Sequence, residues 1–298
     1  MSNIHNRGLM EPINALAPVV NAHQGNLTRG DIWFLAALEG SRVSQDPDAS
    51  FHGDFELTEF GRINCEKQQT ICRNEKGVIH PCISTRGPHR EIPGANTNTH
   101  ELFSFFSEHY NFDEDEVVAL MGAHTVGVLA PENSGIQGKD GWVLDNRILD
   151  NGYYEELVGG GPQSSMNSKI NNAPNWKRFF ERQDSGSMFD DVGIWHGLPE
   201  GPDGRVIVML NADIALVRDL DSDNMNSETG KVKCQFVERS GDDPVCPGVS
   251  GALQQAARYK NNNELWITDF EKVLRKMANA KYKVTSTCIQ GLCKLAKA

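Results

Sequence analysis

A short acidic run leading into an apolar helical pattern constrains this chain most; residues 112–127 read F-D-E-D-E-V-V-A-L-M-G-A-H-T-V-G. Asp113 and Glu116 have the spacing of a capping box, which predicts that a helix begins here. Apolar residues and one histidine then recur at steps of three and four, as on one helix face: Val117, Leu120, Met121, His124 and Val128. His124 is therefore predicted near the helix C-terminus on the apolar side, as a satisfied core histidine or as a ligand.

Residues 117–127, V-V-A-L-M-G-A-H-T-V-G, resemble the proximal-helix signature of the plant, fungal and bacterial haem peroxidase superfamily. In that superfamily the histidine of this motif is the axial ligand of the haem iron. The resemblance implies that His124 holds the iron of haem b. It also implies that the chain reduces hydrogen peroxide at the expense of a small reducing substrate.

Two later stretches extend the resemblance, the first of them to the class I branch, which contains the ascorbate and cytochrome c peroxidases. Residues 130–142, A-P-E-N-S-G-I-Q-G-K-D-G-W, are similar to its H-P-E-R-S-G-F-E-G-P-W motif. The match implies that Trp142 packs beneath the haem against the imidazole and relays electrons, and such an indole is also ordinary core packing. Residues 211–219, N-A-D-I-A-L-V-R-D, resemble the motif whose carboxylate accepts a hydrogen bond from that imidazole, which implies this role for Asp213.

The same comparison with the superfamily implies a potassium or calcium site. Thr125, Asp145, the carbonyl of Ile148 and Asp150 occupy the matching positions, and hard oxygen ligands at close spacing suit such ions. Val143 departs from the threonine or aspartate found in the family, so only its carbonyl is available. Without the resemblance, this segment would be interpreted as a turn with solvated carboxylates.

Further landmarks of the superfamily recur along the chain, at residues 28–37, 60–62, 90–93 and 259–277. They imply a mainly α-helical, two-lobed haem peroxidase fold with irregular, cysteine-bearing loop insertions over residues 1–283, followed by a cysteine-containing tail at 284–298. Glycine- and proline-rich flanks predict an inserted lobe or flap at 159–204. Inside it, the letters N-W-K-R-F-F predict a helix fragment at 175–180.

The distal half of the superfamily's site is missing from this sequence. A distal Arg and His, written R-x-x-x-H, move the peroxide proton and stabilise charge, but none of the nine histidines has an Arg four residues before it. The natural chain could extend upstream of Met1, the protein could be a degenerate homologue, or an inserted loop could supply a substitute. We favour the first explanation, because a missing upstream segment would account for both the helix and a leader peptide.

The seven cysteines, at 65, 72, 82, 234, 246, 288 and 293, cluster in loop-rich stretches. They contain no C-x-x-C pair and have few histidines nearby, which argues against zinc. Disulfides Cys234–Cys246 and Cys288–Cys293 are predicted, and this usage favours an oxidising, extracellular compartment. The first residues of the chain nevertheless lack the hydrophobic core of a signal peptide.

A net charge of −11 argues against a nucleic-acid partner, and no apolar run is long enough to span a membrane. A zinc hydrolase is disfavoured because no H-E-x-x-H motif occurs. The sequence is thus interpreted as a haem-dependent peroxidase that acts in the response to oxidative stress. The alternative is a catalytically impaired haem-binding homologue, or an extracellular interaction protein, that retains the scaffold.

Overall fold

The computed structural model describes residues 8–62, 93–94, 97–129, 141–158, 207–221 and 250–279, and elsewhere only the backbone of short strands. This described part contains eight α-helices: α1 Met10–His23, α2 Arg29–Val43, α3 Thr99–Tyr110, α4 Glu114–Met121, α5 Gly152–Val158, α6 Asn211–Ile214, α7 Ser250–Lys260 and α8 Asn263–Asn279. Its strands are β1 Glu59–Phe60, β2 Cys72–Arg73, β3 Ile79–His80, β4 Trp176–Phe180, β5 Gly193–Gly197, β6 Val208–Leu210, β7 Met225–Asn226, β8 Lys231–Val232, β9 Ser286–Ile289 and β10 Leu292–Leu295. The predicted mainly α-helical fold is confirmed. Among the described helices, none combines the length and apolarity needed to cross a bilayer.

Contacts divide the chain into two compact units. Unit 1 holds Met1–Ser41, Asp54–Ile92 and Arg275–Ala298, and unit 2 holds Arg42–Gly53 and Pro93–Leu274. The residues that the sequence assigns to a site around His124 all fall in unit 2.

In unit 1 the buried carboxylate of Asp31 joins the start of α2 to the turn after β1. It accepts hydrogen bonds from the backbone amides of Gly61 at 2.8 Å and Arg62 at 3.2 Å, and Arg62 Nη1 donates to it at 2.9 Å. The amide of Asp31 donates to Thr28 Oγ1 at 3.0 Å, so Thr28 caps the start of α2. Burial raises the pKa of Asp31, but the hydrogen bonds outweigh it and hold the pKa below its ordinary value.

Replacing Arg62 by Ala is expected to lower the free energy of unfolding by about 3 kcal/mol, because a buried carboxylate would lose its charged partner. The folded pKa of Asp31 lies below the unfolded one. Its ionised form therefore stabilises the fold above the unfolded pKa, and this effect is lost as the pH falls through the folded pKa. Urea unfolding at neutral and at acidic pH measures both effects. The double variant Asp31→Asn/Arg62→Met, which removes both charges but keeps an acceptor for the backbone amides, should lose less than Arg62→Ala, and an equal loss would contradict this account.

Unit 1 also contains an antiparallel sheet in which β9 lies between β1 and β10. Its register places Thr287 opposite Glu59 and Cys293 opposite Cys288. The two strands of the 284–298 tail, β9 and β10, therefore lie in one sheet with β1, and β9 is the strand that pairs with β1. The predicted pair Cys234 and Cys246 lies outside the described residues.

Two capping boxes begin the helices that lead to the site in unit 2. Asn98 accepts from the amide of Glu101 at 2.7 Å and Asp113 from the amide of Glu116 at 2.9 Å, and each glutamate accepts in return from the cap amide. The helix start predicted at Asp113 is thus confirmed. Asn111 ends α3 with a left-handed φ of 56°, a conformation that asparagine tolerates.

The helix that carries the histidine motif is shorter than the predicted apolar face. It ends at Met121, and Gly122–Thr125 continues as a 3₁₀ turn. Val117 is buried, but Val128 is 46% exposed, so the prediction that Val128 shares the buried face is wrong. The tighter 3₁₀ geometry takes the later residues out of step with the 3.6-residue period.

A three-stranded antiparallel sheet, with order β4-β5-β6, precedes α6. The predicted helix fragment at 175–180 is wrong, because Trp176–Phe180 forms strand β4 and pairs with β5. Its aromatic residues favour a strand, and β5 supplies the hydrogen bonds. In turn, β5 pairs with β6 so that Trp195 lies opposite Met209. The β4–β5 hairpin, which belongs to the 159–204 segment, therefore pairs with β6, the strand that leads to Asp213.

The landmark at residues 259–277 is divided between two helices. Lys260 ends α7 and Asn263 begins α8, and Asn262 Oδ1 accepts from the amide of Leu265 at 2.9 Å. An asparagine cap of this kind favours a new helix start over continuation. Helices α4 and α5 both pack against α7, which forms part of the core beneath the histidine motif.

Candidate functional site

His124 is presented by the 3₁₀ turn that follows α4. Its side chain is 31% exposed, whereas the Asp213 side chain beside it is fully buried. Nδ1 of His124 lies 2.7 Å from Asp213 Oδ1, although the two residues are 89 positions apart. The hydrogen bond predicted between them is confirmed.

Asp213 is positioned by the junction of β6 and the short helix α6. Its Oδ2 accepts from the amide of Leu210 at 2.7 Å, in the manner of a carboxylate in the first turn that reaches back to the helix start. The same oxygen accepts from Trp142 Nε1 at 3.2 Å. Its other oxygen, Oδ1, accepts from Tyr153 Oη at 2.8 Å as well as from His124.

Four donors therefore converge on one buried carboxylate, and this fixes the state of the histidine. The Leu210 amide, the Trp142 indole and the Tyr153 phenol carry hydrogens that they can donate, so Asp213 acts as an acceptor towards all of them. Nδ1 of His124 accordingly carries a hydrogen towards Asp213, so in the neutral imidazole the lone pair lies on Nε2. Within the described part of the chain, Nε2 has no hydrogen-bond partner.

Trp142 forms the floor of the site. Its ring lies parallel to the imidazole of His124, with centroids 4.1 Å apart and an interplanar angle of 18°. The indole is 9% exposed, so the predicted packing of Trp142 against His124 is present. Its role in electron transfer stays a prediction.

Sequence reasoning missed two of the four donors, Tyr153 and the Leu210 amide. Tyr153 is completely buried, and burial together with the Asp213 charge raises its pKa well above the ordinary value. A signal was available, because Tyr153 stands in the D-N-G-Y-Y stretch that follows the matched class I segment. The Leu210 donor could have been inferred from Asp213, because a carboxylate at the third position of a helix often accepts from the amide of the capping residue.

The backbone beneath His124 is closely packed at Gly122. A Cβ added there would lie 2.5 Å from Tyr154 Oη and 2.7 Å from Trp266 Cε2. Both side chains are engaged with carbonyls at the end of α4, since Tyr154 Oη donates to Val118 O at 2.6 Å and Trp266 Nε1 to Ala119 O at 3.1 Å.

Substitution of Gly122 by Ala is therefore expected to cost about 2 kcal/mol of stability, because two buried rings must move. Thermal unfolding of the apoprotein measures the loss. Gly25→Ala, at a helix-flanking glycine with open space around it, provides the control and should change stability little. A Gly122→Ala variant as stable as the control would show that the rings are not packed in this way.

The predicted cation ligands are partly brought together. Thr125 Oγ1 donates to Asp150 Oδ1 at 3.0 Å, and the amide of Gly152 donates to the same oxygen at 2.9 Å. Burial raises the pKa of Asp150, and the nearby charges of Asp145 and Asp46 act in the same direction. Ile148 is half-buried in the intervening loop. In the described ranges, no group of three or more His, Cys, Asp or Glu residues could hold a metal ion.

A family model described as Peroxidase matches residues 1–232. This chain belongs to the peroxidase family. The match includes both the histidine motif and the Asp213 segment, which the fold brings together.

Individual members of the peroxidase family show the same similarity at lower coverage. A cytosolic L-ascorbate peroxidase 2 of Oryza sativa subsp. japonica is 36% identical over 152 residues, which cover 51% of this chain and 47% of the relative. A peroxisomal L-ascorbate peroxidase 4 from the same organism, assigned as probable, is 25% identical over 64% of this chain and 58% of the relative. A chain from Cryptococcus neoformans whose name contains the words heme-binding peroxidase is 26% identical over 52% of this chain and 42% of the relative. The chain thus spans about half the length of the curated relatives it matches.

The residues of this peroxidase-family site fit a haem group. An iron ligand must present a free nitrogen lone pair, and Nε2 of His124 does so because Nδ1 is held by Asp213. A carboxylate on the other ring nitrogen is the partner that metal-bound histidines commonly have, because it fixes the ring and raises its basicity. The parallel indole of Trp142 shields one face of the imidazole from solvent.

Proposed function

We propose that this chain is a haem peroxidase that reduces hydrogen peroxide and oxidises a small donor. The observation that carries the proposal is the buried Asp213 carboxylate, which accepts from His124 Nδ1 at 2.7 Å and from Trp142 Nε1 at 3.2 Å. This arrangement supports an electron-rich imidazole that would hold the iron, as a peroxidase requires. Family membership supports the same reaction class.

His124 would hold the iron through Nε2, and Asp213 would keep the proton on Nδ1 and share its negative charge with the ring. Bound haem would supply the redox chemistry that cleaves peroxide. Trp142, in parallel contact with the imidazole and bonded to the same carboxylate, is proposed as the first electron relay. The Asp213 charge would stabilise a positively charged indole.

Finer assignments are part of this proposal. Thr125, Asp145, Ile148 and Asp150 are proposed to bind potassium or calcium, supported by the contact of Thr125 with Asp150. A Cys288–Cys293 disulfide is supported by their opposed positions in the β9–β10 hairpin. Residues 1–283 are proposed as the peroxidase domain, with 159–204 as an insertion and 284–298 as a tail. The proposed biological role is a response to oxidative stress.

Reconstitution of the purified chain with haem tests the proposal. The loaded protein should show a Soret band whose position changes in His124→Gly and is restored by added imidazole, which can occupy the space of the lost side chain. His100→Gly, at an exposed histidine, is the matched control and should bind haem like the parent. A spectrum that is identical in His124→Gly and the parent would reject His124 as the ligand.

One observation favours a second candidate, a haem-binding homologue that activates peroxide poorly. The 298 residues contain no Arg-x-x-x-His sequence. Both candidates predict haem binding through His124, but only the first predicts peroxide-driven turnover of a donor. Steady-state oxidation of a small phenol by the loaded chain separates them.

A further inference from the structure

Aromatic rings lie in continuous contact from His124 to the far side of the unit 2 core. The ring centroids of His124 and Tyr153 are 6.0 Å apart, those of Tyr153 and Tyr154 are 5.2 Å apart, and those of Tyr154 and Tyr259 are 5.2 Å apart. All three tyrosines are at most 1% exposed. Because electron tunnelling weakens steeply with distance, such contacts form a path for rapid transfer.

The path ends at a surface cavity. Tyr259 lines a cavity of about 350 Å³ between α4, α7 and α8, together with Asp115, Arg258, Asp269 and Lys272. Tyr259 Oη donates to Asp269 Oδ2 at 3.2 Å, and the Asp269 side chain is 28% exposed. The last ring of the path is thus buried, whereas its hydrogen-bond partner reaches solvent.

The tyrosines at the two ends of the path each have the proton acceptor that oxidation of a phenol requires. A tyrosine releases its proton when it loses an electron, so it needs an acceptor within hydrogen-bond reach. Tyr153 has Asp213 and Tyr259 has Asp269, whereas Tyr154 donates to the carbonyl of Val118. A neutral radical is therefore favoured at the ends, and Tyr154 is oxidised only transiently as the equivalent passes between them.

We propose that Tyr153, Tyr154 and Tyr259 carry an oxidising equivalent from the His124 site to this cavity, where a small aromatic reductant is oxidised. The proposal rests on the proposed peroxidase function, because hydrogen peroxide is the oxidant. It adds a donor site distinct from the contacts around His124 and Asp213.

The reaction balances as two one-electron steps. In each, Tyr259 loses an electron towards the His124 site and its proton to Asp269. The donor then returns an electron to Tyr259, which recovers the proton from Asp269, and the donor releases its own proton to solvent. Over both steps one hydrogen peroxide and two donors, each losing one hydrogen atom, give two waters and two donor radicals.

Charge around the cavity indicates the class of donor. Four carboxylates line it, those of Asp113, Asp115, Glu116 and Asp269, against two cations, those of Arg258 and Lys272. This excess of negative charge disfavours anionic reductants and suits a neutral phenol or a cationic aromatic amine. The volume admits a single-ring molecule.

The test is to locate the radical in the full chain. The haem-loaded protein is mixed with peroxide and a nitroso spin trap, and adducts are mapped by mass spectrometry. In a second arm the chain is loaded with zinc protoporphyrin and photo-oxidised with an external electron acceptor, without peroxide. Tyr259→Phe and Tyr154→Phe keep the ring packing but remove one phenol each, and Tyr110→Phe, in the separate aromatic cluster of α3, is the matched control.

Adducts at Tyr259 are expected in the parent and in Tyr110→Phe, and they should be lost in Tyr154→Phe. Tyr259→Phe should also lose oxidation of a cationic aromatic amine while its Soret band is unchanged. Adducts at Tyr259 that persist in Tyr154→Phe, or photo-oxidised protein without adducts at Tyr259, would overturn the relay alone. Failure of both porphyrins to bind would overturn the proposed function and the relay with it.

Discussion

Hydrogen peroxide is expected to react with the haem-loaded 298-residue chain about 10²–10⁴-fold more slowly than with a peroxidase that carries the distal Arg and His. The distal histidine acts as general acid and base on the peroxide oxygens, and the arginine stabilises the charge that develops there. In this sequence no histidine has an arginine four positions before it, so neither contribution is supplied in the family's usual form.

Stopped-flow spectroscopy at increasing peroxide concentrations measures this rate, with an ascorbate peroxidase assayed in parallel. The slow step should depend weakly on pH, because the histidine that takes the peroxide proton in the family's R-x-x-x-H motif has no counterpart in these 298 residues. A rate equal to that of the reference enzyme would contradict the prediction. His80→Ala and His89→Ala would then test whether a histidine of the cysteine-bearing stretch before α3 takes the distal role.

Replacing Asp213 by Ala is expected to lower the free energy of unfolding of the apoprotein by about 4 kcal/mol or more. The change leaves four buried or half-buried donors without their acceptor, and each unsatisfied donor typically costs about 1–3 kcal/mol. Asp213→Asn should lose less, because its amide oxygen still accepts two of the four bonds.

Urea unfolding of the apoprotein measures the loss, with Asp219→Ala as the matched control. Asp219 lies six residues further along the same segment, is half-buried and accepts from the amide of Asp221 at 3.0 Å, so its replacement should cost about 1 kcal/mol. An Asp213→Ala variant as stable as that control would show that the four hydrogen bonds do not form together.

The parts of this structure that the sequence predicted are those encoded locally. The capping box at Asp113 needs only four consecutive residues, and it forms as predicted. The contact of His124 with Asp213 is not local, and only the resemblance of two separate motifs to one family could suggest it. Helical spacing alone favours the interpretation of His124 as an ordinary core histidine.

The errors arose where neighbouring elements decide the structure. The residues of Trp176–Phe180 are compatible with a helix or a strand, and pairing with β5 makes this segment a strand. The end of α4 changes to a 3₁₀ turn where the Val118 carbonyl accepts from Tyr154, a partner that periodicity does not show. Tyr153 was missed for the same reason, because its role depends on the position of Asp213.

The central claim is that Nε2 of His124 binds the haem iron while Nδ1 donates to Asp213. Resonance Raman spectroscopy of the reduced, haem-loaded chain tests it most directly, through the stretching band of the bond between iron and the imidazole nitrogen. We expect a band that shifts with the iron isotope, disappears in His124→Gly, and moves to lower frequency in Asp213→Asn, because the imidazole loses negative character. A band that is the same in the parent and in Asp213→Asn, or that survives in His124→Gly, would contradict this account.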